Sequence, residues 1–456
     1  MENYPIPTYP TGSLNFLHRL HAQDKSDLPG QAKIPLKIIV SGAGLGGLAT
    51  AIALARRGHK VIVYEQVEKL GEVGAGIQTP SNSSRLLIRW GVDRYLKDKA
   101  VEPVDISFRR WQTGETIGYT KLVPDFRETY GAPYCVVHRA HFHDALFQRA
   151  IELGVRIVTG AKVVSYDFDA PSITVEDGTV HAADLVIAAD GIRSPARKQL
   201  LGEMDRPPTL AGFAAYRATV SAERMKADPD TAWLVEKPSQ NCWIGDMRHV
   251  MSYSIAGGGS FNMVLSHPES SDPSTWKQET ALADMKSHFE GWDPRLVKTI
   301  NMIDRTLKWP LLSGQPFVKW VADSGKFTIL GDAAHAMLPY MSEGAAMAVE
   351  DGAALAAVLS KITCKDEIPT ALKVFEKERI QRTSQMQQAS AINGKLWHFA
   401  DGPEQEARDA SMRPECEGRS FSESPNQWSD PLTANWCYGY DAEREIERAW
   451  EALSIS

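Results

Sequence analysis

Ile38-Ile39-Val40-Ser41-Gly42-Ala43-Gly44-Leu45-Gly46-Gly47 is the stretch on which the fold depends. A β-branched apolar run stops at a glycine cluster, and an Ala/Leu-rich run follows it to Arg56-Arg57. The pattern predicts a strand over 36–41, a tight turn, and a buried helix over about 45–57. Gly58 then serves as a C-cap, and 60–65 reads as a second strand ending at Glu65. This βαβ start predicts a buried parallel sheet. In the turn, Gly42 permits the tight bend, Gly44 lets backbone approach a pyrophosphate, and Gly47 allows close helix–strand packing. Unpaired amides at the helix start face the phosphate charge. Glu65 lies 18 residues beyond Gly47, where a carboxylate accepts from ribose hydroxyls. It would repel a ribose 2'-phosphate, so the adenosine belongs to FAD or NAD rather than NADP. Purely structural glycines are the competing reading, and both strands, the helix and the acid weigh against it.

Composition narrows the class. The chain has 456 residues, 43% apolar and 23% charged, with a formal charge of -7. This is ordinary globular material, enough for roughly three domains or two large ones. Its charge gives no footprint for a nucleic-acid partner. Residues 38–55 are uncharged between Lys37 and Arg56, as a short membrane span would be, but the glycines divide them into strand and helix. No stable membrane insertion is expected. The five cysteines, Cys135, Cys242, Cys364, Cys416 and Cys437, are widely separated, which suits reduced thiols and a cytoplasmic protein. The opening residues lack the apolar core of a signal peptide. Nothing in the sequence fixes the oligomeric state.

Further along, 140–153 reads as a helix and 155–159 as a strand. Residues 172–180 read as a hairpin around Glu176-Asp177-Gly178. After Pro207-Pro208 come short strand-like segments at 212–220, 231–236, 242–247, 250–256 and 261–266. The expected organisation is an N-terminal extension (1–34), a first part of a Rossmann-like α/β nucleotide domain (35–207), and an inserted, mostly antiparallel β-sheet substrate domain (208–310). A return of the nucleotide domain with helices (311–400) and a C-terminal extension (401–456) follow. Within the return, 326–330 reads as a strand, and 343–359 and 369–388 as helices. The polar stretch 401–431 precedes a helix over 441–453.

Two more segments look built for one extended ligand. Asp184-Leu185-Val186-Ile187-Ala188-Ala189-Asp190-Gly191 ends a buried strand. There the carboxylate of Asp190 caps following amides and Gly191 opens space for a ligand. Nearby Arg193 and Arg197 suit either an anion or the surface. Gly331-Asp332-Ala333-Ala334-His335 follows another buried strand, and Pro339 precedes Gly344-Ala345. Asp332 suits a polyol hydroxyl, with capping of the next turn as the alternative. Gly344 and Ala345 begin a helix whose positive end suits the pyrimidine edge of a reduced flavin. Together these segments point to bound FAD.

The three marks Gly42-x-Gly44-x-x-Gly47, Asp190-Gly191 and Gly331-Asp332…Pro339 resemble the single-component FAD-dependent aromatic hydroxylases. The salicylate hydroxylase and fungal phenolic polyketide monooxygenase branches are the nearest in pattern, over about residues 36–390. Trp436-Cys437-Tyr438-Gly439-Tyr440-Asp441 also looks like the fungal members. The resemblance implies that Gly42, Gly44 and Gly47 carry the pyrophosphate, Glu65 the ribose, and Asp332 the ribityl or pyrophosphate region. It implies that Arg139 reaches the cofactor, that Asp190-Gly191 serves FAD and nicotinamide, and that Gly74 to Gln78, with Gly76 among them, flanks the isoalloxazine. One departure stands out: Glu343 occupies a position where many relatives carry Gln. It either points away from the flavin or meets substrate or solvent.

The implied reaction uses NADH or NADPH and O2, and hydroxylates a phenolic substrate through a flavin C4a-hydroperoxide, with decarboxylation or dearomatisation as variants. Arg217 interrupts an apolar strand and suits a phenolate, or else an edge-strand salt bridge. Tyr253 reads as a substrate hydrogen-bonding group or a core tyrosine, and His249 as a proton-transfer group or a turn residue. His335 fits cofactor-domain packing better than base catalysis. Met341, Met347, Trp243 and Phe261 fit either pocket wall or core. A flavin dehydrogenase or epoxidase acting on a non-phenolic substrate, and a non-enzymatic nucleotide sensor, are the competing functions.

Overall fold

A computed structural model describes residues 31–71 and 75–453. The expected N-terminal extension, apart from 31–34, lies outside them, as does Gly74. The β-branched run forms β1 (Lys37–Ser41), and the Ala/Leu run forms α1 (Leu45–Arg56) before β2 (Lys60–Tyr64). With β7 (Arg156–Val158), β11 (Leu185–Ala188) and β17 (Phe327–Ile329) they make a five-stranded parallel sheet in the order β17-β11-β1-β2-β7. Ile38, Ile39 and Val40 are fully buried, because helices cover both faces of such a sheet. The hairpin expected near Asp177 joins β9 (Ser172–Val175) to β10 (Val180–Ala182).

A second sheet of seven strands runs β16-β12-β15-β14-β13-β4-β5. Its members are β4 (Asp105–Arg110), β5 (Thr116–Lys121), β12 (Thr209–Ser221), β13 (Gln240–Gly245), β14 (Arg248–Ile255), β15 (Ser260–Pro268) and β16 (Leu307–Ser313). Two strands thus come from residues 105–121, ahead of the 208–310 segment that supplies most of the others. All pairings are antiparallel except β13 with β4. A two-stranded pair, β3 (Gly76–Thr79) and β6 (Cys135–His138), bridges toward the first sheet.

One expected strand is a helix. Residues 231–236 lie in α4 (Pro229–Glu236), where Asp228 accepts from the Asp230 amide and Pro229 occupies the first turn. Asp-Pro is a helix start, and Thr231 and Leu234, three apart, form the buried stripe. The other helices that shape the site are α2 (Ser81–Arg89), α3 (Arg139–Glu152), α5 (Gly344–Leu359) and α6 (Ile368–Trp397). In the polar C-terminal stretch, α7 (Pro403–Cys416) lies against β5, with Glu415 Oε2 accepting from the Tyr119 amide at 2.8 Å. α8 (Pro431–Tyr438) and α9 (Ala442–Leu453) complete the chain. Arg89 at the end of α2 pairs with Asp441 at 2.8 Å and ties the start of α9 to α2. Among the described residues, no helix is long and apolar enough to cross a membrane.

Strand parity sorts the large sheet's side chains. Trp243, Val250, Phe261, Met263 and Leu265 enter a core on one face. Ala215, Met251 and Tyr253 face the other way, toward the first domain. Trp243 and Phe261 are therefore core residues rather than pocket walls, and Met341 and Met347 are also fully buried in packing.

Candidate active site

Two cavities, about 360 and 230 Å³, share Gly44, Ala189 and Gly191 in their walls and so form one elongated cleft. The smaller lies over the ends of β1, β2 and β11 and is lined by Gly42, Glu65, Asp190 and Tyr166 among others. The glycine turn explains its shape. Gly42 has φ +103°, and a Cβ there would lie 2.4 Å from the Ala189 carbonyl oxygen. A Cβ on Gly47 would come within 2.0 Å of the Gly42 carbonyl oxygen, so the helix is pressed against its own entry turn. At Gly44 a Cβ would meet nothing within 4 Å; that glycine faces the cleft. Glu65 Oε2 accepts from the Ala43 amide at 2.8 Å and Oε1 from the Val67 amide at 3.0 Å.

Asp190 Oδ2 accepts from the Ala196 amide at 3.1 Å and from Tyr166 Oη at 3.3 Å, while buried Oδ1 has no partner. Burial raises the Asp190 carboxyl above its usual range, against the lowering effect of its hydrogen bonds. Open space beside Gly44 and Gly191 together with an unsatisfied oxygen on Asp190 is a cradle for the hydroxyl- and phosphate-bearing part of a dinucleotide. Arg197 serves structure instead: it is buried and pairs with Asp205 at 2.9 Å. Arg193 is exposed.

The larger cavity continues between the sheets. Its near wall is Gly76, Ile77, Gln78 and Arg139, and its far end is Gly331, Asp332, Pro339, Gly344 and Ala345. The first intrahelical bond of α5 runs from the Met347 amide to the Glu343 carbonyl at 2.8 Å. The amides of Gly344 and Ala345 precede it, so the positive helix end opens on the cavity. Below the Gly331 turn sits a buried charge cluster. Asp351 Oδ2 accepts from the Gly331 amide at 3.0 Å and contacts His335 Nε2 at 2.6 Å, while Arg379 binds Asp351 Oδ1 at 2.8 Å. Burial alone would raise Asp351, but the charges of His335 and Arg379 outweigh it and hold the carboxyl at about 2. His335 thus braces the turn and does not line the cleft.

Glu343 turns away from the cleft. It is buried, with Asn82 Nδ2 donating to Oε2 at 2.9 Å and Cys437 Sγ donating to Oε1 at 3.2 Å. Burial, then the neighbouring Glu350 charge, pushes its carboxyl from 4.5 up to about 7. A carboxyl raised in the folded state stabilises while protonated, and that contribution is lost as pH rises from 4.5 through about 7. The loss is on the order of 3 kcal/mol by pH 8. Glu343→Gln, which cannot ionise, is therefore expected to raise the melting temperature relative to the parent at pH 8 and much less at pH 5. Equal differences at the two pH values would contradict this account.

The seven-stranded sheet forms the remaining wall. His249, Met251 and Tyr253 alternate on β14, and Arg217 on β12 and Val264 on β15 sit in register with Met251. The structure thus brings Arg217, Tyr253 and His249 to one face opposite the α5 N-terminus. His249 is a strand residue, not part of a turn, and its Nδ1 lies 2.8 Å from His398 Nε2. Burial holds His249 well below its usual range and His398 at about 3, so both rings are neutral and share one proton. Sequence reasoning missed Met251, Val264, Trp397 and His398. The sheet residues carry only ordinary strand signals, and the last two arrive from the end of α6, far along the chain.

The FAD binding domain family model matches residues 36–390. The chain is 36% identical over 416 residues to FAD-dependent monooxygenase OpS4 of Beauveria bassiana, covering 91% of this chain and 97% of that protein. It is 31% identical to the 3-hydroxybenzoate 6-hydroxylase of Polaromonas naphthalenivorans, covering 89% and 96%. The structure of Klebsiella pneumoniae HpxO complexed with FAD and uric acid superposes with a TM-score of 0.75 at 25% identity, over 89% of this chain and 97% of that one. With its cleft built to hold FAD and these relatives matched over most of their length, the chain belongs to the single-component FAD-dependent aromatic hydroxylases and is a flavoprotein monooxygenase.

Proposed function

We propose that this enzyme hydroxylates a phenolic ring with NADH or NADPH and O2, the substrate lying between the α5 N-terminus and the large sheet. The observation that carries this reading is the shared face of Arg217, Tyr253 and His249 on the cavity wall. Bound FAD, reduced by the nicotinamide, supplies the activated oxygen. The chain's own groups hold and polarise. The turn at Gly42 and Gly44 receives the pyrophosphate, with Gly47 packing the helix start against it; Glu65 holds the adenosine ribose, and Asp332 the ribityl or pyrophosphate oxygens. Arg139 and Gly191 border the same path, Asp190 offers its unpaired oxygen, and Gly76 leaves room beside the ring system. The amides of Gly344 and Ala345 stabilise negative charge on its pyrimidine edge.

On the substrate side, Arg217 lies where a guanidinium stabilises a phenolate oxygen, making the ring electron-rich. Neutral His249, its Nδ1 bonded to His398 Nε2 at 2.8 Å, offers Nε2 to the phenolic oxygen as a hydrogen-bond partner. Tyr253 binds a substrate oxygen. The relative that is a 3-hydroxybenzoate 6-hydroxylase acts on a hydroxylated ring, in keeping with such a substrate. All five cysteines are free thiols, as suits the cytoplasm.

The test is to screen phenols for stimulated NADH and NADPH consumption in the presence of 18O2, with product mass measured. A gain of one labelled oxygen supports hydroxylation, and concurrent loss of CO2 identifies the decarboxylating variant. Oxidation without labelled oxygen selects the dehydrogenase alternative. Arg217→Ala is expected to lower labelled product per bound flavin about a hundredfold; unchanged yield per flavin would remove Arg217 from the substrate site.

A further inference from the structure

One buried histidine meets the glycine turn from outside the βαβ unit. His143 lies on α3, one helical turn beyond Arg139, so the face that presents Arg139 to the larger cavity also carries His143. Its Nε2 lies 2.8 Å from the Ala43 carbonyl oxygen. A carbonyl oxygen only accepts, so Nε2 carries the hydrogen and donates it. The Ala43 amide is taken on the other side, where it donates to Glu65 Oε2 at 2.8 Å. Both backbone polar groups of Ala43 are therefore held, one by the residue that follows β2 and one by α3.

The consequence falls on the next amide. The Ala43–Gly44 peptide is trans, so its carbonyl and its N–H point in opposite directions. With the carbonyl fixed on His143, the Gly44 N–H points away from that ring. Gly44 itself borders both cavities. Glycine here makes an anchor necessary. Without a Cβ the backbone can come close to a phosphate, but the preceding peptide is also free to turn over. Ala43 ψ and Gly44 φ would each rotate by about 180°, and glycine accepts the positive φ that results. The flipped peptide would offer a carbonyl oxygen to the phosphate charge in place of an N–H, exchanging attraction for repulsion.

We infer that His143 is a positioning residue for the cofactor: by holding the Ala43 carbonyl it aims the Gly44 N–H into the cleft, at the pyrophosphate of FAD. The role concerns how FAD is retained, whichever substrate is oxidised. It draws α3 into the cofactor site through a residue 100 positions from the turn it serves. Reach is what the imidazole contributes, since the donor is the far nitrogen of the ring. A glutamine places its amide nitrogen close to that position, and an asparagine falls one bond short.

The test compares full-length, FAD-loaded parent enzyme with His143→Leu, His143→Gln and His143→Asn. Equilibrium dialysis reads FAD affinity, competition by ADP reads the pyrophosphate half alone, and 31P NMR reads the surroundings of the bound pyrophosphate. His143→Leu and His143→Asn are expected to weaken FAD and ADP about tenfold, the worth of one hydrogen bond to a charged group. They should also move the 31P resonances of bound FAD. His143→Gln is expected to keep affinity within about threefold of the parent and to leave those resonances in place. Should His143→Leu fail to fold, the Gln and Asn variants still decide, because both are polar, smaller than histidine, and different in reach. Lowered melting temperatures with parent affinity and parent 31P positions would show a packing role only and overturn the assignment. Equal losses in His143→Gln and His143→Asn would overturn it too. Parent enzyme that binds FAD but oxidises no phenol would sink the phenolic reading and leave His143 where it is.

Discussion

Gly44→Val is expected to give a folded, colourless protein. A side chain at this position meets no protein atom within 4 Å of its Cβ, and the residue has φ -70° and ψ -178°, a conformation open to valine. The apo fold therefore has no reason to change. What the side chain enters is the space shared by both cavities, where backbone must approach the pyrophosphate. Retained FAD should fall more than about tenfold, since each lost 1.4 kcal/mol of contact is worth that factor. Gly47→Ala supplies the contrast. Its Cβ would sit 2.0 Å from the Gly42 carbonyl oxygen, so it should destabilise the fold itself. Flavin absorbance per protein, with circular dichroism and thermal melting, separates the two. A Gly44→Val protein that stays yellow would remove the turn from the cofactor site.

The second large effect concerns stability. Arg379 is fully buried and bonds Glu350 at 2.8 Å and Asp351 at 2.8 Å, while Arg382 reaches Glu350 at 3.1 Å. Such a cluster need not be better than an apolar core, but breaking it from one side leaves buried charge uncompensated. Arg379→Met leaves Asp351 with its His335 and Gly331 amide contacts and Glu350 with the Arg382 pair. The expected cost is about 3–5 kcal/mol in denaturant unfolding. FAD affinity should fall as well, because the Asp351 carboxylate that orients the Gly331 amide loses its anchor. A loss below about 1 kcal/mol, the range of exposed pairs, would show that the cluster relaxes into solvent.

The FAD cleft and the substrate wall differ in how legible they are from residues alone. Gly42, Gly44, Gly47 and Glu65 act within one continuous βαβ unit, so spacing along the chain is nearly spacing in the molecule. Asp190-Gly191 and Gly331-Asp332 follow β11 and β17, successive strands on one side of β1 in the same parallel sheet, so each could be recognised as a strand terminus. Arg217, Tyr253 and His249 were candidates because they are polar residues in or beside apolar segments. Their common face depends on the register of β12, β15 and β14, and a one-residue slip would send them to the opposite core. Trp243 and Phe261 show the other parity, being equally apolar and on the wrong face for the cavity.

By itself the sequence determined a glycine-turn dinucleotide site, its preference for an adenosine without a 2'-phosphate, and the parallel sheet that carries both. These rest on local pattern: periodicity, a cap, and a carboxylate at fixed spacing. Tertiary structure alone decided that 229–236 is a helix whose buried stripe meets a core, that β4 and β5 join the substrate sheet, and that Glu343 faces Asn82 and Cys437 instead of flavin. It also decided that Trp397, at the end of α6, lines the same cavity as Gly44. Such contacts join segments hundreds of residues apart, and their direction is set by which face packing buries, a quantity no local run of residues contains.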